Sequence, residues 1–212
     1  MSLPRVILAD DHTILVEAFV KLLESCCEVV AIVSDGRALL NAAPLLQPDV
    51  IVADVAMPLL NGLEAGRQLK EKLPAVKIIF LTMNEDPDLA VEAMASGASG
   101  YVLKKSAASE LFRAIQDAVK GRRYVTPQIA RAIKNISVQG LRSGRQPKAI
   151  TSRQREVLQL LAEGRSMKEA ADILSLTART IAFHKYSAMK GLKLKTTADL
   201  IQFAIRSRMI PA

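Results

Sequence analysis

The sequence contains only two cysteines, and these are adjacent to each other. Cys26 and Cys27 lie in an apolar stretch, and no third cysteine is present to form a disulfide across the chain or a zinc site with spaced ligands. This scarcity excludes a disulfide scaffold and a zinc-finger fold. It predicts a reducing, cytoplasmic setting.

The chain also lacks a secretion signal and a membrane-spanning run. Residues 1–5 lead directly into a β-branched segment, without the basic and apolar regions of a signal peptide. No stretch approaches the roughly 18 to 20 apolar residues that a membrane helix needs. We expect a soluble protein that is not exported and has no membrane partner.

Acidic residues are scarce in the second part of the chain. Residues 126–212 contain 16 lysines and arginines against 5 acids, whereas residues 1–125 contain 13 against 16. Lysine and arginine displace the counterions that condense on nucleic-acid phosphates, so this cationic segment is typical of a nucleic-acid binder. Charge alone leaves a merely solvated basic surface as an equal alternative.

Short β-branched runs alternate with helical patterns in the first 121 residues. The predicted strands are Val6–Ala9, Val29–Val33, Val50–Ala53, Lys77–Leu81 and Gly100–Leu103. With right-handed crossovers, they predict a flavodoxin-like α/β fold with a five-stranded parallel sheet. Asp86 followed by Pro87 predicts a helix start, and Ser106 is expected to cap the last helix of this domain.

The pattern changes after this α/β segment. Thr126 and Pro127 open a short helical segment, and residues 139–148 have the composition of a flexible linker. From Thr151 onward, four helix starts and no strand are present. Three of these starts have capping-box spacing, namely Thr151 with Gln154, Ser166 with Glu169 and Thr196 with Asp199, and the fourth is Thr177. We predict an α/β domain over 1–125, a linker over 126–148 and an all-α four-helix domain over 149–212.

Polar residues follow the carboxyl ends of four predicted strands. They are Asp10, Asp11, Asp54, Thr82 and Lys104. Ligands of doubly wound sheets bind beyond these ends, and clustered carboxylates repel one another unless a hard divalent cation such as Mg²⁺ lies between them. A carboxylate can attack phosphorus, with metal and lysine neutralising the transferring group. Each residue alone is more often structural, but their joint placement favours a phosphoryl-transfer site.

The sequence lacks the motifs of two other classes of phosphate-binding protein. The first strand leads into Asp10 and Asp11 rather than a glycine-rich phosphate loop. Position 56 is alanine, where haloacid-dehalogenase-type phosphatases have a second acid. A metal-dependent phosphotransferase or phosphatase is therefore disfavoured, and we expect that the protein is not an enzyme.

The segment from Arg5 to about Gly121 resembles a response-regulator receiver domain. The motifs that carry the resemblance are Ala9-Asp10-Asp11-His12, Asp54…Met57-Pro58…Asn61-Gly62, Leu81-Thr82 and ASGASGYVLK at residues 95–104. The resemblance implies that Asp54 is the phosphoacceptor, that Lys104 pairs with the phosphoryl group and that Thr82 with Tyr101 forms the switch. It also implies the ligands of Mg²⁺, namely Asp10, Asp11, Asp54 and the carbonyl of Ala56. Lys105 departs from the proline of many receiver domains.

Residues 151–210 resemble the helix-turn-helix domain of the NarL/FixJ (LuxR-type) family. The resemblance rests on Thr151–Leu158, Gly164, Lys168–Ala171 and Arg179-Thr180-Ile181…His184-Lys185. Helical spacing places Ile181 in the core and a stripe of Arg179, Ala182, Phe183 and Tyr186 on another face. The predicted DNA-contacting residues are Arg179, Thr180, Ala182, Phe183, His184, Lys185, Tyr186 and Lys195. The alternative is that the two exposed aromatic side chains pack within the protein.

These resemblances together predict a two-component response regulator. A sensor histidine kinase would phosphorylate it, and the phosphate would control sequence-specific binding to double-stranded DNA. RNA polymerase and a second copy of the chain are further expected partners. The last helix is a candidate dimer interface, through Leu200, Ile201, Phe203 and Ala204. The alternative with the same fold is a regulator that binds DNA independently of phosphorylation.

Overall fold

The computed structural model describes residues 3–138 and 150–210, with only the backbone for 135–138. The chain divides into two compact units, of which the first contains residues 1–57 and 61–142 and the second the rest. Within the described residues, no helix combines the length and apolarity needed to cross a membrane. Of the linker predicted over 126–148, residues 139–148 lie outside the described residues, and residues 127–138 form a helix.

The first unit is a parallel sheet with helices on its two faces. Its strands are β1 Arg5–Ala9, β2 Glu28–Val33, β3 Val50–Asp54, β4 Lys77–Thr82, β5 Gly100–Leu103 and β6 Tyr124–Val125. All pairings are parallel, in the order β2-β1-β3-β4-β5-β6. The change of direction between β1 and β3 is the topological switch of a doubly wound sheet, beyond which ligands bind.

Six helices and one short 3₁₀ turn complete the described part of this unit. They are α1 Thr13–Leu23, α2 Gly36–Leu46, α3 Gly62–Lys72, α4 Pro87–Ala95, the 3₁₀ turn Lys104–Ser106, α5 Ala107–Val119 and α6 Pro127–Val138. All five residues of β3 are buried, because helices cover both faces of a central parallel strand. One face of β1 and β3 packs on Phe19 of α1 and Leu111 of α5.

The predicted number of strands was wrong by one. Tyr124 and Val125 add a sixth strand beside β5, paired with Gly100 and Tyr101. Two residues are too few to give a β-branched run or an alternating pattern, so no periodicity marks this strand in the sequence. The five predicted strands are present, and β3 and β4 each extend one residue further, to Asp54 and Thr82.

One of the two predicted helix caps in this unit was also wrong. The Asp86 carboxylate accepts the N–H of Asp88 at the start of α4, as expected. The Ser106 side chain makes no capping hydrogen bond to α5. Its hydroxyl instead donates to the Leu103 carbonyl at 3.2 Å, back across the 3₁₀ turn.

Over residues 150–210, the second unit contains four helices, as predicted. They are α7 Ser152–Ala162, α8 Met167–Leu174, α9 Ala178–Leu192 and α10 Thr197–Arg206. The three predicted capping boxes are all confirmed, and Thr177 caps α9 without a box by accepting the Thr180 N–H. Such caps satisfy the unpaired N–H groups of each helix start and set where the helices begin.

Two buried clusters hold the second unit together. In the first, Ile181 of α9 packs fully buried against Val157 and Leu160 of α7 and Leu174 of α8. Ser175 turns the chain between α8 and α9 in the left-handed conformation, with φ of 52°. This is a helix-turn-helix, in which one face of α9 is fixed by the core and the opposite face is left to solvent.

The second cluster corrects the expected role of α10. Leu200 and Ala204 are fully buried against Leu158 and Ala188, so they form core and not a partner-binding face. The spacing that the two residues share is typical of either role, and the sequence alone did not separate them. Of the four residues expected at a dimer interface, only Ile201 is exposed.

Candidate acidic site and nucleic-acid interface

The carboxyl ends of β1, β3 and β5 bring two acids and one lysine into contact. Asp10 follows β1, Asp54 ends β3 and Lys104 begins the turn after β5. The Lys104 Nζ lies 2.7 Å from Asp54 Oδ2 and 2.7 Å from Asp10 Oδ2, and all three side chains are buried. The predicted convergence of these residues at one sheet edge is therefore present.

Burial and charge act in opposite directions on this trio. Burial raises the pKa of Asp54 above its usual value, the Lys104 ammonium counteracts this, and the Asp10 carboxylate adds to it. Burial lowers the pKa of Lys104, but the two carboxylates outweigh it and leave the pKa above its ordinary value. Lys104 is therefore charged at neutral pH, and it is outnumbered by acids.

The donor set fits a hard divalent cation. Asp10, Asp11, His12 and Asp54 each offer one ligand atom, and these atoms lie within 4.8 Å of one another. Asp10 Oδ2 is buried, and among the described residues it makes no hydrogen bond beyond its ion pair with Lys104 Nζ. Three carboxylates facing one ammonium leave an excess of negative charge, which Mg²⁺ with its preference for oxygen ligands would neutralise.

Two residues beside the trio contact its carboxylates. His12 Nδ1 lies 2.9 Å from Asp10 Oδ1 and 3.1 Å from Asp11 Oδ1, and its position directly after the two acids was the only signal. The Ala56 N–H donates to Asp54 Oδ1 at 3.2 Å, which places the backbone of residue 56 next to the predicted phosphoacceptor.

The predicted switch residues lie on adjacent strands, next to the acidic trio. Thr82 Oγ1 accepts the Asn84 N–H at 2.9 Å, and the Tyr101 hydroxyl donates to the Asn84 carbonyl at 3.2 Å. Tyr101 is fully buried, and burial raises its pKa to about 12 although the Thr82 hydroxyl opposes the shift. Both hydroxyls therefore hold the loop between β4 and α4.

The backbone of Gly62 packs closely against the backbone carbonyl of Asp54. A methyl group added at Gly62 would meet the Asp54 carbonyl oxygen at 2.0 Å, which the backbone cannot tolerate without moving. We expect Gly62→Ala to destabilise the first unit by about 1 to 3 kcal/mol and to displace Asp54. Thermal unfolding and phosphoryl uptake measure the two effects. Gly191→Ala is the control, since a methyl there meets nothing within 4 Å. Unchanged stability and uptake in Gly62→Ala would contradict this prediction.

The exposed face of α9 carries the predicted aromatic stripe. Phe183 and Tyr186 are 68% and 59% exposed, so neither is covered by a neighbouring helix. Arg179 is exposed on the same face and Ala182 is half-buried. A helix that follows a tight turn and presents arginine with exposed aromatics suits the major groove of DNA.

The other predicted DNA contacts surround this stripe. The His184 ring lies edge-on to Phe183 with centroids 5.5 Å apart, and Lys185 Nζ lies 5.5 Å from the Tyr186 ring centroid. Lys195 is exposed after α9. The Thr180 hydroxyl is 2.9 Å from that of Thr177 and so belongs to the helix cap as well.

Models of two known families match the chain. Residues 6–116 match the response regulator receiver domain. Residues 148–204 match the bacterial regulatory proteins of the luxR family. The two matches coincide with the sheet-based unit that holds the acidic trio and with the helical unit that holds α9.

Curated proteins and solved structures match over nearly the whole chain. The oxygen regulatory protein NreC of Staphylococcus carnosus is 30% identical over 97% of this chain and 99% of its own length. RcsB of Salmonella enterica serovar Typhimurium, bound to promoter P1flhDC with the phosphomimetic BeF3-, is 30% identical, with a TM-score of 0.60 over 95% of this chain and 98% of its own. A structure of two RcsB dimers bound to two parallel DNAs is also 30% identical, with a TM-score of 0.61 over 95% of this chain and 98% of its own.

Proposed function

The chain belongs to the response regulators that join a receiver domain to a LuxR-type DNA-binding domain, and we propose that phosphorylation of Asp54 controls how its α9 binds DNA. It is a transcription regulator rather than an enzyme. The observation that carries the proposal is the buried contact of 2.7 Å between Lys104 Nζ and Asp54 Oδ2 at the carboxyl edge of the sheet.

Asp54 is the proposed nucleophile. One carboxylate oxygen attacks the phosphorus of a phosphorylated histidine on a sensor kinase, the P–N bond breaks and an acyl phosphate forms. Lys104 stays charged and offers its ammonium to the new phosphoryl oxygens in place of the carboxylate that it now contacts. Thr82 and Tyr101 then respond to the phosphoryl group by changing their hydrogen bonds to Asn84.

Mg²⁺ is the proposed cofactor of this site. Its proposed ligands are Asp10, Asp11, Asp54 and the carbonyl of Ala56. When bound, the ion neutralises charge on the transferring phosphoryl group. Asp11 is the exposed carboxylate of the set, so it is also the side-chain ligand that is most simply replaced without disturbing the core.

Helix α9 is the proposed DNA-reading element. Arg179 supplies a donor suited to guanine, while Ala182, Phe183 and Tyr186 offer apolar contacts to thymine methyl groups. We therefore expect half-sites in which a G·C pair is flanked by thymines. The residues proposed to contact or approach the phosphates are Thr180, His184, Lys185 and Lys195.

The remaining partners follow from this assignment. RcsB is described as dimers on DNA, and we propose that this chain also binds DNA as a homodimer when phosphorylated. A sensor histidine kinase is the proposed source of the phosphoryl group, and RNA polymerase is the proposed partner in transcription. Because double-stranded DNA and RNA polymerase are cytoplasmic in bacteria, the proposed location is the cytoplasm.

Metal removal tests the proposed pocket. Incubation with acetyl phosphate and Mg²⁺ should add one phosphoryl group to the intact mass, and chelation of Mg²⁺ should prevent it. Asp11→Asn should slow uptake and require more Mg²⁺, since one charged ligand is lost. Asp88→Asn is the matched control, because Asp88 is an exposed acid in the first turn of α4. Uptake that does not depend on Mg²⁺, or equal uptake by the two variants, would overturn the ligand assignment.

A further inference from the structure

Thr126 joins the strand of the switch residue to the helix that follows. Its N–H donates to the Tyr101 carbonyl at 3.0 Å, and its hydroxyl oxygen accepts the Leu103 N–H at 3.1 Å. The same hydroxyl donates to Glu110 Oε2 at 2.7 Å, so it acts both as an acceptor and as a donor. Thr126 is buried, and its carbonyl accepts the N–H of Ala130 in the first turn of α6.

Glu85 makes a second connection to the same helix. It lies in the loop between β4 and α4, where one carboxylate oxygen accepts from Lys105 Nζ and the other accepts from Gln128 Nε2 at 2.6 Å. Gln128 is in the first turn of α6, which packs against α4, and the adjacent Ile129 is buried. Lys105, the departure from the proline of many receiver domains, thus takes part in holding the start of α6.

Both connections begin at the hydrogen bonds of the switch. Thr82 and Tyr101 each bond to Asn84, the residue before Glu85. A phosphoryl oxygen on Asp54 would accept a hydrogen bond from the Thr82 hydroxyl, and reorienting this side chain toward the phosphoryl group would move its oxygen away from the Asn84 N–H that it now accepts. The loop that positions Glu85 would then move, and so would the β5 backbone that Thr126 binds at residues 101 and 103.

We propose that Thr126 is the positioning residue through which the receiver site acts on α6, with Glu85 as its surface counterpart. The inference rests on the proposed function, because it takes Asp54 phosphorylation as its input. Phosphorylation loosens the first turn of α6, and α6 is the last described element before the chain continues to the DNA-binding domain. Fully satisfied buried hydrogen bonds define one arrangement, so removing the hydroxyl should uncouple α6 from the site.

The test compares Thr126→Val with Thr126→Ser in the full chain. Valine keeps the shape but removes the hydroxyl, whereas serine keeps the hydroxyl. Each protein is treated with acetyl phosphate and Mg²⁺ and followed by intact mass, by amide hydrogen exchange over α6 and by DNA affinity. We expect wild type and Thr126→Ser to show faster exchange in α6 on phosphorylation and a gain in DNA affinity of about 5- to 150-fold. Thr126→Val should take up the phosphoryl group and show neither response.

Separate outcomes identify which claim fails. If wild type takes up no phosphoryl group, the proposed function itself fails. If wild type is phosphorylated, and phosphorylated Thr126→Val shows the same change in α6 exchange and the same gain in DNA affinity as wild type, the positioning role is overturned. Should Thr126→Val not fold, Glu85→Ala decides, because Glu85 is exposed and its loss leaves the core intact. Exchange over α6 should then be fast without phosphorylation. The exposed Glu71→Ala should match wild type, and an unchanged α6 in Glu85→Ala would overturn the proposal.

Discussion

An Asp54→Asn variant is expected to take up no phosphoryl group from acetyl phosphate and Mg²⁺. Asparagine has the size of aspartate but its neutral amide is not a nucleophile toward phosphorus. The variant also removes one of the two carboxylates that Lys104 Nζ contacts at 2.7 Å. Intact mass measured over time gives the result directly, and the expected effect is complete loss.

The control for this variant must carry the same chemical change outside the pocket. Asp88→Asn serves, since Asp88 is an exposed acid of the receiver domain, and it should gain one phosphoryl group at the wild-type rate. Circular dichroism of both variants checks that each is folded. If Asp54→Asn still gains one phosphoryl group, the nucleophile has been misassigned.

Phe183→Ala is expected to weaken binding at the preferred DNA site by about 1 to 3 kcal/mol, or about 5- to 150-fold. The side chain is 68% exposed, so its loss should remove the proposed contact with DNA and leave the core intact. Affinity for random duplexes should change little, because apolar contacts to base edges carry sequence preference. Competition titration against specific and random duplexes measures both.

Lys185→Ala is the comparison that separates contacts to base edges, which select sequence, from contacts to phosphates, which position the helix. Its ammonium is expected to contact phosphate, so the variant should weaken binding to both duplexes and lower the salt slope by about 1. Equal losses of Phe183→Ala on the two duplexes would show that Phe183 packs within the protein. The reading stripe would then lie elsewhere on α9.

The sequence predicted the site more completely than it predicted the surroundings of the site. Asp54 and Lys104 meet because parallel strands end at one edge of a sheet, and that rule needs only the strand order along the chain. The capping boxes of α7, α8 and α10 were predictable for a similar reason, since a cap depends on residues three positions apart.

The features that escaped prediction depend on contacts between distant segments. The strand at Tyr124 and Val125 forms only because β5 offers it a partner, and a two-residue segment has no periodicity of its own. Thr126 appeared as a helix start, while its hydrogen bonds to β5 and α5 depend on that same pairing. Ser106 matched a capping rule, but the turn before α5 changed its partner.

Helical spacing in the second unit identified apolar faces without saying what covers them. Ile181 was assigned to the core and is fully buried there. Leu200 and Ala204 share similar spacing, and only the packing of α10 on Leu158 shows that they also belong to the core. Exposure of Phe183 likewise required the structure, since an aromatic on a helix fits either role.

DNA affinity with and without phosphorylation tests the central claim most directly. Full-length wild type and Asp54→Asn are titrated onto the same duplex, before and after treatment with acetyl phosphate and Mg²⁺. Control of DNA binding by Asp54 predicts a gain of about 5- to 150-fold in treated wild type and no gain in the variant. Equal affinity of treated and untreated wild type, with the phosphoryl group present by mass, would contradict it and leave a regulator that binds DNA independently of phosphorylation.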